Sequence, residues 1–348
     1  MEKIIPIENI YYMLCYSWGN LKEKDLVNIE NLAQKNLPNL FGQVLANAIQ
    51  YLIKKGFDRE YVNEVENISS LKGKILFNES LKNQTWVNGK MYCTYDDLTY
   101  DIIQNQIIKA TINRLITSRI LDNKIKIDLL KIYHHFGEIN NIKIKNSDFK
   151  KVKIHKNNSY YSFIINICEI LYKNLIPSEN KGQSKFKDFL RDEKEMAKVF
   201  ENFVRNFYKV KQSKFKVRRE DILWNLEVYE GEMQYLPKMQ TDITLENNEE
   251  KIIIDTKYYK EALKENYSKK FITSNLYQIF SYLGNVKIEE NKKMSGVLLY
   301  PQVEEEIDFS STYNKNFDIK IKTLNLNQSW EKIEKRLLEL ISNQGNCT

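Results

Sequence analysis

Two short segments, 240–246 (QTDITLE) and 251–258 (KIIIDTKY), constrain this chain more than any other part of it. In the first, Ile243 and Leu245 alternate with Asp242 and Thr244. In the second, Ile253, Asp255 and Lys257 take one side and Ile252, Ile254 and Thr256 the other, because side chains in a strand repeat every second residue. Asn247 and Asn248 between them supply a turn. If the two strands pair, Asp242 sits beside Asp255 on the face that carries Lys257. The run Ile252–Ile254 predicts that Asp255 emerges from a buried strand, where a carboxylate without a partner is costly.

Two carboxylates so placed repel by about 4 kcal/mol at roughly 4 Å and an effective dielectric near about 20. A hard divalent cation answers that repulsion, and Mg²⁺ commonly takes one or two carboxylates plus water and substrate phosphate. Asp242, Asp255 and the backbone carbonyl of Thr256 are the expected metal ligands. Lys257 is placed to orient a water or to meet charge developing on phosphorus. Gln278 and Tyr282 lie one turn apart on the helix expected over 271–284, a spacing that resembles nucleases of the PD-(D/E)xK type. Glu195 and Glu201, on the helix expected over 193–209, are further acidic candidates. The competing reading of the same residues is a solvated hairpin edge with incidental charges. Lys251, Lys260, Lys264, Lys269 and Lys270, with Tyr258, Tyr259 and Tyr267 among them, could track a DNA backbone or form an ordinary solvated face.

The length of 348 residues suggests two domains, and 42% hydrophobic with 28% charged residues is the balance of a globular chain. A net charge of +7 permits phosphate binding without requiring it. Cys15, Cys93, Cys168 and Cys347 are scattered and form no zinc spacing, and the absence of any long apolar run leads us to expect a cytoplasmic protein with no membrane association. Apolar periodicity predicts helices over 5–19, 39–55, 101–120 and 159–176, with a β-rich hairpin element over 71–100. The polar stretch 177–189 predicts a domain boundary. The expected class is α/β (α+β overall): a C-terminal domain with a mixed central sheet flanked by helices, preceded by a mixed helical and β-hairpin N-terminal domain.

Several stretches together resemble the McrC family of McrBC-type restriction systems. They are IPIENIYYMLCYSWG from residue 5, LKGKILF from 71, NQIIKATINRLI from 105, IPSENKG from 176, DEKEM from 192, LPKMQTDITL from 236, IIIDTKYYK from 252 and NLYQIFSYL from 275. The resemblance spans nearly the whole chain. It implies a PD-(D/E)xK endonuclease domain over 181–348, with Asp242, Asp255 and Lys257 as catalytic residues and Gln278 and Tyr282 in support. Thr256 stands where an alanine is common, and Glu201 matches the family poorly. The resemblance also implies that 1–180 binds a McrB-like hexameric AAA+ GTPase and stimulates it, and that double-stranded DNA bearing modified cytosine is the substrate. None of the 11 glycines starts a GxxxxGK[ST] loop, so GTP is expected to be bound by the partner and not by this chain. Lys72 and Lys74 are candidate partner contacts. Two other readings stand beside the endonuclease subunit: a non-cleaving adaptor that plugs the GTPase ring, and a free-standing nuclease of RecB-like fold.

Overall fold

The first apolar helix folds with the end of the chain and not with the segments that follow it. The computed structural model describes residues 5–20, 36–177, 184–186, 190, 192–258, 263–266, 268–286, 292–303 and 305–342. Two units result: Met1–Gln34 together with Asp188–Thr348, and Lys35–Lys187. This corrects the expected contiguous division into 1–180 and 181–348. Helix α1 (Ile7–Ser17) buries Ile10, Met13 and Leu14. Asn9 Nδ2 donates to the carbonyls of Leu326 and Gln328, each at 2.8 Å, and Tyr16 OH donates to Glu334 Oε1 at 3.0 Å. Those partners lie more than 300 residues along the chain, out of reach of any reading based on local periodicity.

The unit Lys35–Lys187 is built around helix α2 (Leu37–Lys55), capped by Asn36, whose side chain accepts from the N–H of Asn39 at 3.1 Å. Leu40, Val44, Leu45, Ala48, Ile49 and Leu52 are all buried, as their spacing predicts. Strands β1 (Glu60–Ile68), β2 (Lys74–Ile75) and β3 (Met91–Thr99) form an antiparallel sheet in the order β1-β3-β2, with the short helix α3 (Phe77–Lys82) between β2 and β3. The expected β-rich element over 71–100 therefore covers β2 and β3 but misses the long partner strand. The sequence of β1, EYVNEVENI, is exposed along nearly its whole length, so it has no buried face to write an apolar alternation. Gly73 has φ +67°, and a Cβ there would meet the carbonyl oxygen of Thr94. Helices α4 (Ile103–Thr117), α5 (Asn123–Tyr133), α6 (Asn146–Phe149) and α7 (Tyr160–Asn174) and the strand pair β4 (Leu175–Pro177) and β5 (Ser184–Phe186) complete the unit.

In the other unit, helix α8 (Glu193–Lys211) starts at Asp192, whose carboxylate accepts from the N–H of Glu195 at 3.2 Å. It buries Met196, Phe200, Phe203, Val204 and Phe207, each stabilising by roughly 1.5–3 kcal/mol relative to exposure. The strands that follow are β6 (Lys216–Arg218), β7 (Asp221–Ile222), β8 (Met239–Gln240), β9 (Ile243–Glu246), β10 (Glu250–Thr256), β11 (Leu263–Asn266) and β12 (Ser268–Phe271). Helix α9 (Thr273–Asn285), strands β13 (Lys293–Pro301), β14 (Asp308–Tyr313) and β15 (Phe317–Leu324), and helix α10 (Trp330–Ile341) close the unit. Six of these strands form one mixed sheet in the order β14-β15-β13-β10-β9-β6, in which β10 with β13 and β13 with β15 pair parallel and the other neighbours pair antiparallel.

Helix α9 lays Ile279, Tyr282 and Leu283 against Ile253, Leu298 and Ile319 of the sheet. Gly296 permits this approach, since a Cβ there would stand 2.6 Å from Ile279. Helix α8 packs with α1 and α10, where Tyr208 OH donates to Leu337 O at 2.8 Å and Phe203 meets Trp330. Among the described residues, no helix is long and apolar enough to cross a membrane.

Candidate active site

The site forms where the ladder between β9 and β10 ends. Asn247 closes the turn: its Oδ1 accepts from the backbone N–H of Glu249 at 2.9 Å and of Glu250 at 2.7 Å. The turn sets the register from Lys251↔Glu246 to Ile254↔Ile243. One further step would bring Asp255 opposite Asp242. Strand β9 begins at Ile243, however, and the Asp242 carboxylate leans past the last rung. Its Oδ2 accepts from the N–H of Thr256 at 2.8 Å and from Thr256 Oγ1 at 2.9 Å.

Asp255 stands on β10, which has β9 on one edge and β13 on the other, and its side chain is 1% exposed. Its Oδ2 meets Lys257 Nζ at 2.8 Å as an ion pair too poorly aligned for a hydrogen bond, and its Oδ1 is buried without a hydrogen-bond partner. Burial raises the Asp255 carboxyl to about 6; Asp242 adds to the rise, Lys257 opposes it and Glu201 contributes weakly. Asp242 and Asp255 are thus electrostatically coupled.

A chain of hydrogen bonds fixes Lys257. Its Nζ donates to Gln278 Oε1 at 2.8 Å, Gln278 Nε2 donates to Tyr282 OH at 2.7 Å, and Tyr282 OH donates to the carbonyl of Gln240 at 2.9 Å. Burial first, and then the charges of Asp255 and Asp242, raise the Tyr282 hydroxyl, which holds it neutral as a donor. Asp242, Asp255, Thr256, Lys257, Gln278 and Tyr282 are therefore brought together.

Glu195 is not. It is exposed at the start of α8 and pairs with Lys198 at 3.4 Å. Glu201 occupies an intermediate place: it accepts from Arg205 at 2.7 Å and faces Arg219 at 3.6 Å. Arg205 also donates to the backbone carbonyl of Asp242 at 3.3 Å, so α8 reaches the site through a guanidinium and not through a carboxylate. The sequence reading missed Arg205, although its i,i+4 spacing from Glu201 is the signal that could have found it.

Lys251 does not face solvent as a DNA-tracking residue would. It is 7% exposed and pairs with Glu220 at 2.8 Å, because alternation on a strand covered on both faces carries it inward. Tyr258 is half-buried against Phe200, with ring centroids 5.9 Å apart. Tyr259, Lys260 and Tyr267 lie outside the described residues, as do the side chains of Lys264, Lys269 and Lys270. Lys72 stacks over the Tyr95 ring at 4.1 Å and Lys74 is exposed on β2.

Among the described residues, no three His, Cys, Asp or Glu side chains form a metal cage. The donor set is instead two coupled carboxylates, one with a buried unpartnered oxygen. That orphan is costly in a metal-free chain and is what a hard cation with water in its remaining positions would satisfy, so these residues fit Mg²⁺.

Residues 7–301 match the family described as McrBC 5-methylcytosine restriction system component. The chain is 33% identical over 341 residues to the type IV methyl-directed restriction enzyme EcoKMcrBC of Escherichia coli K12, covering 97% of this chain and 98% of that one. It also resembles in fold a chain of the refined half-complex from the tetradecameric assembly of Thermococcus gammatolerans McrB AAA+ hexamers with bound McrC. There the TM-score is 0.58 at 17% identity, over 97% of this chain and 76% of that one. On sequence and length together, this chain belongs to the McrBC 5-methylcytosine restriction system component family.

Proposed function

We propose that the chain is the DNA-cleaving subunit of a restriction complex, hydrolysing phosphodiester bonds of double-stranded DNA that carries modified cytosine. The site is of the PD-(D/E)xK type, with Asp242, Asp255 and Lys257 in the catalytic roles. The observation that carries this reading is the buried carboxylate of Asp255, with one oxygen unpartnered and the other 2.8 Å from Lys257. Burial of a charged pair beside a second carboxylate raises free energy and is retained where chemistry uses it.

Asp242 and Asp255, with the backbone carbonyl of Thr256, would hold Mg²⁺. A bound Mg²⁺ supplies a water of lowered pKa and a polarised phosphoryl oxygen. The chain's own side chains do the positioning. Lys257, held between Asp255 and Gln278, is placed to meet the attacking water or the oxygen on which charge develops. Tyr282 fixes Gln278 and so limits the swing of the lysine. Arg205 anchors the main chain at Asp242.

The family membership and the likeness to a chain of a McrB AAA+ assembly support a McrB-like hexameric GTPase as partner, which would bind the GTP. The test is Asp255→Ala in the complex with a McrB-like GTPase, on methylated and unmethylated DNA with GTP and magnesium. Loss of cleavage with GTPase stimulation intact is the expected outcome. Unchanged DNA cutting would overturn the assignment and favour a chain that acts only by binding the ring.

A further inference from the structure

We infer that the hydroxyl of Thr256 is a positioning group that decides which oxygen of Asp242 is offered to a cation. This rests on the reading of Asp242 and Asp255 as a metal site and assigns the side chain of Thr256 a task in it. The two donors of Thr256, its N–H at 2.8 Å and its Oγ1 at 2.9 Å, both meet Asp242 Oδ2. A carboxylate oxygen that accepts two hydrogen bonds has little lone-pair density left for a third strong contact. Oδ2 is thus saturated, while Oδ1 accepts from none of the described residues.

The backbone of Asp242 is held independently. Thr241 N–H donates to the carbonyl of Glu220 at 2.9 Å, Thr241 Oγ1 accepts from the N–H of Glu220 at 3.0 Å, and Arg205 donates to the carbonyl of Asp242 at 3.3 Å. The Cα of Asp242 is therefore placed without help from Thr256, and what remains is rotation of the carboxylate about its side-chain torsions. One N–H restrains that rotation loosely, because an oxygen can pivot about a single hydrogen bond. Two donors separated by the Cα and Cβ of one residue fix the carboxylate plane. The orientation so fixed would leave Asp242 Oδ1 to share a cation with the buried Asp255 carboxylate, whose Oδ1 has no hydrogen-bond partner.

The alternative is a threonine whose hydroxyl simply finds the nearest acceptor. Thr256→Val removes the hydroxyl at nearly constant shape, Thr256→Ala removes it with less bulk, and Thr256→Ser keeps it. On the full-length chain, Mn²⁺ binding is measured calorimetrically without DNA, and thermal melting in EDTA reports folding. Expected are Mn²⁺ affinities about 10-fold weaker for Val and Ala and restored to within about twofold for Ser, the size typical of groups that orient a metal ligand. Melting in EDTA should be unaltered for all three. Parent-like Mn²⁺ affinity in both the Val and Ala variants would overturn the inference while leaving the metal site intact. A parent chain that binds no Mn²⁺, or binds it equally well as Asp255→Ala, would overturn the underlying reading as well.

Discussion

Lys257 Nζ lies 2.8 Å from Asp255 Oδ2, so the acid and the base of this site are neighbours at the end of β10 and balance each other before any cation or substrate arrives. The balance is incomplete. Asp255 keeps an unpartnered buried oxygen and a raised pKa, which means that the lysine offsets only part of the cost of burying the acid.

Replacing Asp255 by Asn should abolish cleavage and, in EDTA, raise stability. With a folded pKa pushed up to about 6, the carboxyl's favourable contribution is complete below its unfolded pKa and is lost as pH rises through about 6. Above that, the folded chain carries the charge at a cost of about 1–3 kcal/mol, which a neutral amide avoids. Thermal melts at about pH 7.5 and about pH 4 check this: the variant's advantage should be present at the higher pH and shrink at the lower one. A variant that melts earlier than the parent at both would contradict the account.

Gln278→Ala should slow cleavage about 10- to 100-fold while leaving DNA affinity unchanged, since it loosens Lys257 without removing it. Lys257→Ala should slow it further. Single-turnover cleavage in the assembled complex separates the two, and equal rates for Gln278→Ala and the parent would remove Gln278 from the mechanism.

Glu246 lies away from the site and carries a different load. Although burial works against it, hydrogen bonds from Lys292 and Arg218 and the charge of Lys251 hold its carboxyl down to about 2. A depressed carboxylate contributes stability that is present above its unfolded pKa and is lost as pH falls toward about 2. Glu246→Gln should therefore cost about 1–2 kcal/mol near neutral pH, after allowance for solvent screening, and flatten the acid limb of the stability curve. Urea unfolding at several pH values measures both effects, and an unaltered acid limb would show that the pairing is not worth its geometry.

Asn9→Ala should destabilise the unit that contains the site, although Asn9 lies near the N-terminus. It strips the carbonyls of Leu326 and Gln328 of their shared donor, at a cost of about 1–3 kcal/mol for buried groups left unmade. A denaturation midpoint equal to the parent's would mean that α1 does not support that unit.

Local pattern determined much of this protein. The period-2 alternation of 240–246 and 251–258, with the Asn247 turn, was sufficient to bring Lys257, one residue past the end of β10, to the side of Asp255, because extended backbone repeats its side chains every second residue. The spacing of Gln278 and Tyr282 put both on one helical face, and apolar periodicity located α1, α2, α4, α7, α8 and α9 to within a few residues. Tertiary structure decided the rest. The attachment of α1 to the C-terminal unit, the exposed strand β1, the inward turn of Lys251 and the approach of Arg205 to Asp242 all depend on partners distant in sequence. So does the grip of Thr256 on Asp242, which exists because the ladder stops one residue short and frees a carboxylate to lean across its end. Periodicity reports which face of an element a residue occupies; only packing between elements settles what that face meets.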